Sequence, residues 1–317
     1  MADTETEAVE EEGGEPTETG EEAPKGISRR AVLIGSGAGV AAVAGGAAVL
    51  SRRFGASDFH AAHIEGALPV DDPDHATWGR ARQVSVPLIP QDMVNPHLHE
   101  QSIDQIRVRA LFNGRDLGLV LEWEDDQIDE QEGIATFRDA VAVMMPALPG
   151  GEEPPPVFMG WEGQPVYLCH WKASWQADID RGFQDVGDKH PGWFNDVHPY
   201  HETMRELGLD DERASVYAPG RHVGNPLAER ERTSPVEEMR AEGYGSARHF
   251  EQQHARGRGV HEDGRWRVAI GVEGGNAPDL SSLASVPLSF AVWQGQHGQR
   301  GARKQYADWT QLRLRDE

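Results

Sequence analysis

Two runs of alternating apolar residues joined by Asn113-Gly114 constrain this chain more than any other feature. Val108, Ala110 and Phe112 alternate with their neighbours before the turn, and Leu117, Leu119, Leu121 and Trp123 alternate after it. Successive strand side chains point to opposite faces, so each run offers one apolar face to a core. Asn-Gly between two such runs predicts a tight hairpin, because both residues tolerate the positive φ that the turn requires. Further strands are expected at residues 139–145, 166–172, 265–272, 286–293 and 309–314, with another turn at Glu262-Asp263-Gly264. Short alternating strands with few helices predict a mainly β fold: an antiparallel β-sandwich with short helices and a long irregular insertion.

The insertion falls between about Trp175 and Val260, where the sequence is polar, rich in His, Gly and Pro, and without period. Within it, residues 234–243 (SPVEEMRAEG) read as a short helix, with Ser234 as N-cap, Pro235 in the first turn and Gly243 beyond the end. A stretch this long and irregular is uncommon inside a domain unless it is functional or partner-bound. No internal repeat is visible.

The front of the chain differs from the rest. Residues 1–27 carry Glu, Thr, Gly and Pro with almost no large apolar side chain, and are expected to form a disordered acidic leader. Ser28-Arg29-Arg30-Ala31-Val32-Leu33 then opens an uncharged Ala/Gly/Val stretch that ends at Leu50, so residues 28–55 resemble a twin-arginine export signal. The same stretch is long enough to serve as a membrane anchor through residues 31–50. An extracytoplasmic domain is therefore expected over residues 56–317, exported in folded form.

Charge and cysteine content exclude several classes. The net charge is −23; ten acids and no base fall in residues 1–22, so −13 remains on the rest of the chain. Only four of the 30 basic residues are Lys, namely Lys25, Lys172, Lys189 and Lys304. An acidic, Lys-poor surface points to adaptation to concentrated salt, where self-repulsion is screened. No basic face is available for phosphate neutralisation, which argues against nucleic-acid binding. Cys169 is the only cysteine, which excludes an intrachain disulfide, a Cys-rich zinc or iron–sulfur site, and a haem attached covalently through C-x-x-C-H.

The stretch with most chemical content is Val157-Phe158-Met159-Gly160-Trp161, a turn at Glu162–Pro165, and a strand from Val166 to Lys172. Period-2 geometry places Val166, Leu168, His170 and Lys172 on one face, and Tyr167, Cys169 and Trp171 on the other. A lysine thus continues an apolar face at the end of a strand. Met159 offers a soft thioether, and a lysine can ligate metal only as the neutral amine. By themselves both residues also suit ordinary roles, in a core and on a surface.

In order along the chain, the segments LVLEWEDDQID, FRDAVAVMMP, VFMGWEGQPVYLCHWKASW, YAPGRHVGNP, SPVEEMRAEGYG, DGRWRV and FAVWQGQHGQRGARKQYADW resemble the haem-binding gamma subunits of ethylbenzene dehydrogenase, dimethyl sulfide dehydrogenase and related molybdopterin oxidoreductases. The resemblance implies a β-sandwich holding one non-covalent haem b between one Met and one Lys, and the positions taken to match are Met159 and Lys172. It also implies an iron–sulfur (beta) subunit and a molybdopterin catalytic (alpha) subunit as partners, and a soluble or membrane electron carrier. Such a subunit relays electrons and is not itself catalytic, since two axial ligands fill the iron's coordination sphere. His170, Trp171, Arg300 and Arg303 are further candidate contacts to the cofactor, the arginines and His170 through its propionates.

Two other readings compete. His97-x-His99, with His170, His198 or His201, offers nitrogen ligands for zinc, although no acidic base stands with them in a recognised motif. A carbohydrate- or ligand-binding β-sandwich without redox chemistry would present Trp161, Trp171 and Trp175 at its surface. No Ser-His-Asp signature, phosphate loop or dinucleotide fingerprint occurs.

Overall fold

Strands form where the apolar alternation predicts them. In chain order they are β1 (Phe59–His60), β2 (Ala62–His63), β3 (Val84–Pro87), β4 (Ile89–Pro90), β5 (Gln105–Phe112), β6 (Leu117–Glu124), β7 (Ala140–Pro146), β8 (Val166–Lys172), β9 (Val236–Ala241), β10 (Arg248–His249), β11 (Gly257–Glu262), β12 (Arg265–Val272), β13 (Ser285–Trp293), β14 (Gln305–Tyr306) and β15 (Thr310–Arg313), with helix α1 (Ala173–Arg181) directly after β8. The computed structural model describes residues 59–151, 153–183, 220 and 223–315, all within the unit Phe54–Glu317. The leader, the twin-arginine segment, His198 and His201 lie outside the described residues. No helix among the described residues is long and apolar enough to cross a membrane.

The predicted hairpin is β5–β6, paired from Arg107↔Glu122 to Phe112↔Leu117. Its loop has four residues. Gly114 takes φ +96°, and Asn113 Oδ1 accepts from the backbone N–H of Arg115 and Asp116, so the asparagine side chain organises the turn.

Two sheets result. One runs β1-β15-β13-β7-β8-β9-β10, with β14 on β13 and β4 on β14; the other runs β11-β12-β6-β5-β2, with β3 on β5. Pairing is antiparallel except for the short parallel pairs β1–β15 and β2–β5. The mainly β, antiparallel sandwich that the sequence predicts is present, with the two short parallel pairs confined to the sheet edges. The core between them takes one face of each strand: Val141, Val143 and Met145 of β7 and Tyr167, Cys169 and Trp171 of β8 pack with Leu119, Leu121 and Trp123 of β6 and Trp266, Val268 and Ile270 of β12. At its centre Trp171 lies 5.0 Å from Trp266 and 6.5 Å from Trp123, ring centre to ring centre. Gly259 leaves room for that ring, since a Cβ there would stand 2.5 Å from Trp171 Cζ2.

Residues 234–243 do not form the expected helix. β9 lies antiparallel along β8, with Cys169 opposite Glu238 and His170 opposite Glu237. Ser234 does not cap a helix; its hydroxyl donates to Ala255 O at 2.7 Å. Two terms overrule the capping signal. The edge of β8 needs partners for its backbone groups, and Glu238, fully buried, finds donors there: Tyr167 Oη at 2.6 Å, Ala255 N at 3.0 Å and His254 N. A buried carboxylate without such donors would be strongly destabilising.

Candidate functional site

The strand phase that sends Tyr167, Cys169 and Trp171 into the inter-sheet core sends Val166, Leu168 and His170 to the outer face of the same sheet. There the floor is made of small side chains, Ala142 of β7 and Ala291 of β13, flanked by Met144, Leu168, Met239 and Trp293. Loops at 93–95, 157–159, 244–247 and 301–304 rise over this floor and enclose a cavity of about 460 Å³ with mostly apolar walls. That is within the range of cofactor pockets.

Met159 is held over the cavity by strained backbone. It has φ +77°, followed by Gly160 at φ +79°, and a non-glycine residue in this region costs about 1–3 kcal/mol unless its surroundings impose it. Here they do. Gly160 N donates to Pro156 O at 2.9 Å, Gly243 N donates to Met159 O at 2.8 Å, and a Cβ on Gly160 would meet Gln164 O at 2.6 Å. The Met159-Gly160 bend aims the thioether inward.

The lysine that meets Met159 is Lys304. Its Nζ is 3.8 Å from Met159 Sδ and 5.4 Å from the centre of the Trp293 ring. It stands just before β14, after a turn in which Arg303 N donates to Arg300 O, and its own carbonyl accepts from Gln91 N. Burial alone lowers its ammonium to about 8. Among the described residues no carboxylate opposes that effect.

Lys172 is elsewhere and otherwise engaged. It is 3% exposed, its Nζ is 2.5 Å from Glu237 Oε2, and it lies 3.8 Å over the Trp175 ring. Burial lowers its ammonium to about 8 against the pull of Glu237. It lies on the predicted face, but one alternation beyond His170, a step of about 7 Å along a strand, and it does not line the cavity.

Of the other candidates, His170 lines the cavity. Its ring stacks on Trp293 at 4.7 Å with 30° between planes, and its buried Nε2 has no hydrogen-bond partner among the described residues. Its pKa is held well below the usual imidazole value by burial, then by Lys172, Arg138 and Lys304. Trp171 belongs to the inter-sheet core and points away from the cavity. Arg300 and Arg303 are exposed and do not line it; Arg300 sits 4.0 Å over the Phe137 ring. His97 and His99 meet edge to face at 5.8 Å, and among the described residues no group of three or more His, Cys, Asp or Glu is placed to hold a metal ion. Cys169 is buried, 3.2 Å from Tyr167 Oη, with its thiol pushed up by burial. Trp161 is 42% exposed, while Trp171 and Trp175 are buried, so the surface of three tryptophans that a sugar-binding face needed is not present.

Sequence reasoning missed Lys304, which stands next to Arg303 in a segment already singled out. Its signals were weak: one of four lysines, and two residues before Tyr306, which shares the cavity wall.

Fold and site together define a β-sandwich with a thioether and an amine facing one another in an apolar pocket on its outer face. A family model described as ethylbenzene dehydrogenase matches residues 75–305, a span that includes Met159, His170 and Lys304. The chain belongs to that family. A Haloferax mediterranei protein named "Putative respiratory nitrate reductase heme subunit ORF7" is 24% identical over 254 residues, covering 78% of this chain and 70% of that protein. Among solved structures, a carbohydrate binding module family 9 of Caldicellulosiruptor kristjanssonii in complex with cellotriose is 8% identical with a TM-score of 0.36, covering 82% of this chain and 95% of that one. Its glucose complex is 9% identical with a TM-score of 0.35, covering 80% and 95%. Likeness of this degree carries nothing about what the present chain binds.

Proposed function

We propose that this protein is an electron-transfer subunit carrying one non-covalent haem b, with Met159 and Lys304 as the axial ligands, and that it relays electrons between the iron–sulfur subunit of a molybdopterin oxidoreductase and an external carrier. The observation that carries this reading is the facing pair of Met159 Sδ and Lys304 Nζ over an alanine floor in an apolar cavity. The donors are 3.8 Å apart. Both donors face the same apolar space, so together they would hold the iron of a bound haem. The name of the Haloferax mediterranei relative and the family membership support the same reading.

When bound, haem supplies a one-electron couple tuned by axial ligand and burial. The chain's own residues prepare it. Lys304 must present a free amine, and its burial without a carboxylate partner lowers the cost of releasing the proton. Met159 contributes a ligand without an ionisable proton, which favours a high potential. Ala142 and Ala291 leave a low floor, while Trp293, Leu168 and Met144 would exclude water around the bound group. Haem held by both Met159 and Lys304 would have no site left for substrate, so substrate chemistry would fall to a partner subunit. Export by the twin-arginine route is part of the proposal, because that route carries folded, cofactor-loaded proteins.

The test is reconstitution of the full chain with haem. One haem per chain and sharp α and β bands in the reduced state are expected; a colourless protein, or one with only a broad spectrum typical of loosely held haem, would overturn the reading.

A further inference from the structure

His170 is the one cavity-lining residue among those described whose buried side chain carries a polar atom with no partner, Nε2. Apart from the exposed Asn95 and Tyr244, the other polar side chains facing the cavity have partners. Gln91 accepts from Met93 N and Val94 N and donates to Val94 O and Ala302 O. Ser289 Oγ donates to Ala307 O at 2.8 Å, and Tyr306 Oη lies against Met93 Sδ at 3.9 Å. A buried donor left unsatisfied costs about 1–3 kcal/mol, so an unpartnered Nε2 in a cavity wall marks a place where a ligand atom belongs.

The surroundings specify that atom's charge. The groups that act electrostatically on the imidazole are cations: Lys172 on its own strand and Arg138 ahead of β7, which are ion-paired with Glu237 and Glu132, and Lys304 across the cavity, which is charged only until it gives up its proton to serve as a ligand. The carboxylate opposite it in register, Glu237 of β9, is held by Lys172. An imidazole kept neutral, with its proton on Nε2, presents one hydrogen-bond donor to the cavity. Stacking on Trp293 fixes the direction of that N–H. The complement is an acceptor anion.

We infer that His170 Nε2 donates a hydrogen bond to a carboxylate of the bound macrocycle, one haem propionate, and so sets its rotational position between Met159 and Lys304. This rests on the haem reading above and deepens it: the ligands fix the iron, and His170 fixes the porphyrin about the axis between them. A charge-assisted hydrogen bond of this kind is the stronger class of such bonds.

The experiment compares haem with haem dimethyl ester, which has the same ring and iron but no carboxylate, on the full-chain apoprotein. His170→Phe keeps a flat ring on Trp293 and removes the donor; His170→Gln restores a donor. For haem, His170→Phe is expected to weaken binding about ten- to a hundredfold, the factor for a hydrogen bond to a charged group, and His170→Gln to remain within a few-fold of the unmodified protein. For the dimethyl ester all three proteins should bind alike. Equal weakening towards both porphyrins in His170→Phe would show that His170 only packs, and unchanged haem affinity in that variant would show that nothing is bound there; either result overturns the inference. Failure of the unmodified protein to bind either porphyrin would instead overturn the haem reading, and this inference with it.

Discussion

Replacing Lys304 by Ala is expected to abolish the sharp α and β bands of the reduced haem protein and to speed haem loss at least tenfold, while the apoprotein keeps its fold. Among the described residues the Lys304 side chain has no carboxylate partner to lose. Its amine touches Met159 Sδ and looks onto the Trp293 ring, and the cost of holding it buried without a carboxylate disappears with it, so the haem-free variant should be no less stable. Met159→Ala should change the spectrum in the same way. Absorption spectra of the two variants, with thermal denaturation of the haem-free forms as a control, make the check. Intact bands in Lys304→Ala would exclude it as a ligand.

Lys172→Ala is expected to do the reverse: to leave the haem spectrum unchanged and to destabilise the fold. Removing it leaves Glu237, 6% exposed, as a buried charge without its partner. Breaking a buried pair from one side costs about 3–5 kcal/mol. For a domain of this size that corresponds to a fall in Tm of roughly 10 °C. Lys172→Met combined with Glu237→Leu should recover most of the loss, because neither charge then remains in the protein interior. The comparison separates the two lysines: one change is read in the spectrum, the other in the melting curve.

The placement of Lys172 shows how far sequence alone reaches. Strand phase was legible: the alternation in Val166–Lys172 correctly divided the strand into an inner face with Tyr167, Cys169 and Trp171 and an outer face with Leu168 and His170. It could not say where along that face the cavity ends. Lys172 shares the face with His170, yet it lies one alternation further, where Glu237 of β9 arrives. β9 itself was read as a helix, because Ser234-Pro235 is a strong local start signal and the need of β8 for an edge partner is not written locally. Without β9 there was no reason to expect a counter-ion for Lys172.

Lys304 was hidden for the complementary reason. It follows an irregular turn and precedes a strand of two residues, so no period placed it on a face. It reaches Met159 only because β14 pairs with β13 and β4, which folds residue 304 back over the sheet. Contacts separated by 145 residues leave no trace in local pattern. A partial signal did exist in β7, where Ala140 and Ala142 alternate with Val141 and Val143. The valines pack in the core, while the alanines line the outer face beneath the cavity. Small residues on one face of a fully buried strand say that something must lie flat against it.

The most direct test is an experimental structure of the haem-loaded protein. It should show the macrocycle in the cavity above Ala142 and Ala291, with Met159 Sδ and Lys304 Nζ bonded to the iron from opposite sides and Lys172 still paired with Glu237. Iron bound to Lys172, or a porphyrin seated anywhere other than that cavity, would contradict the account.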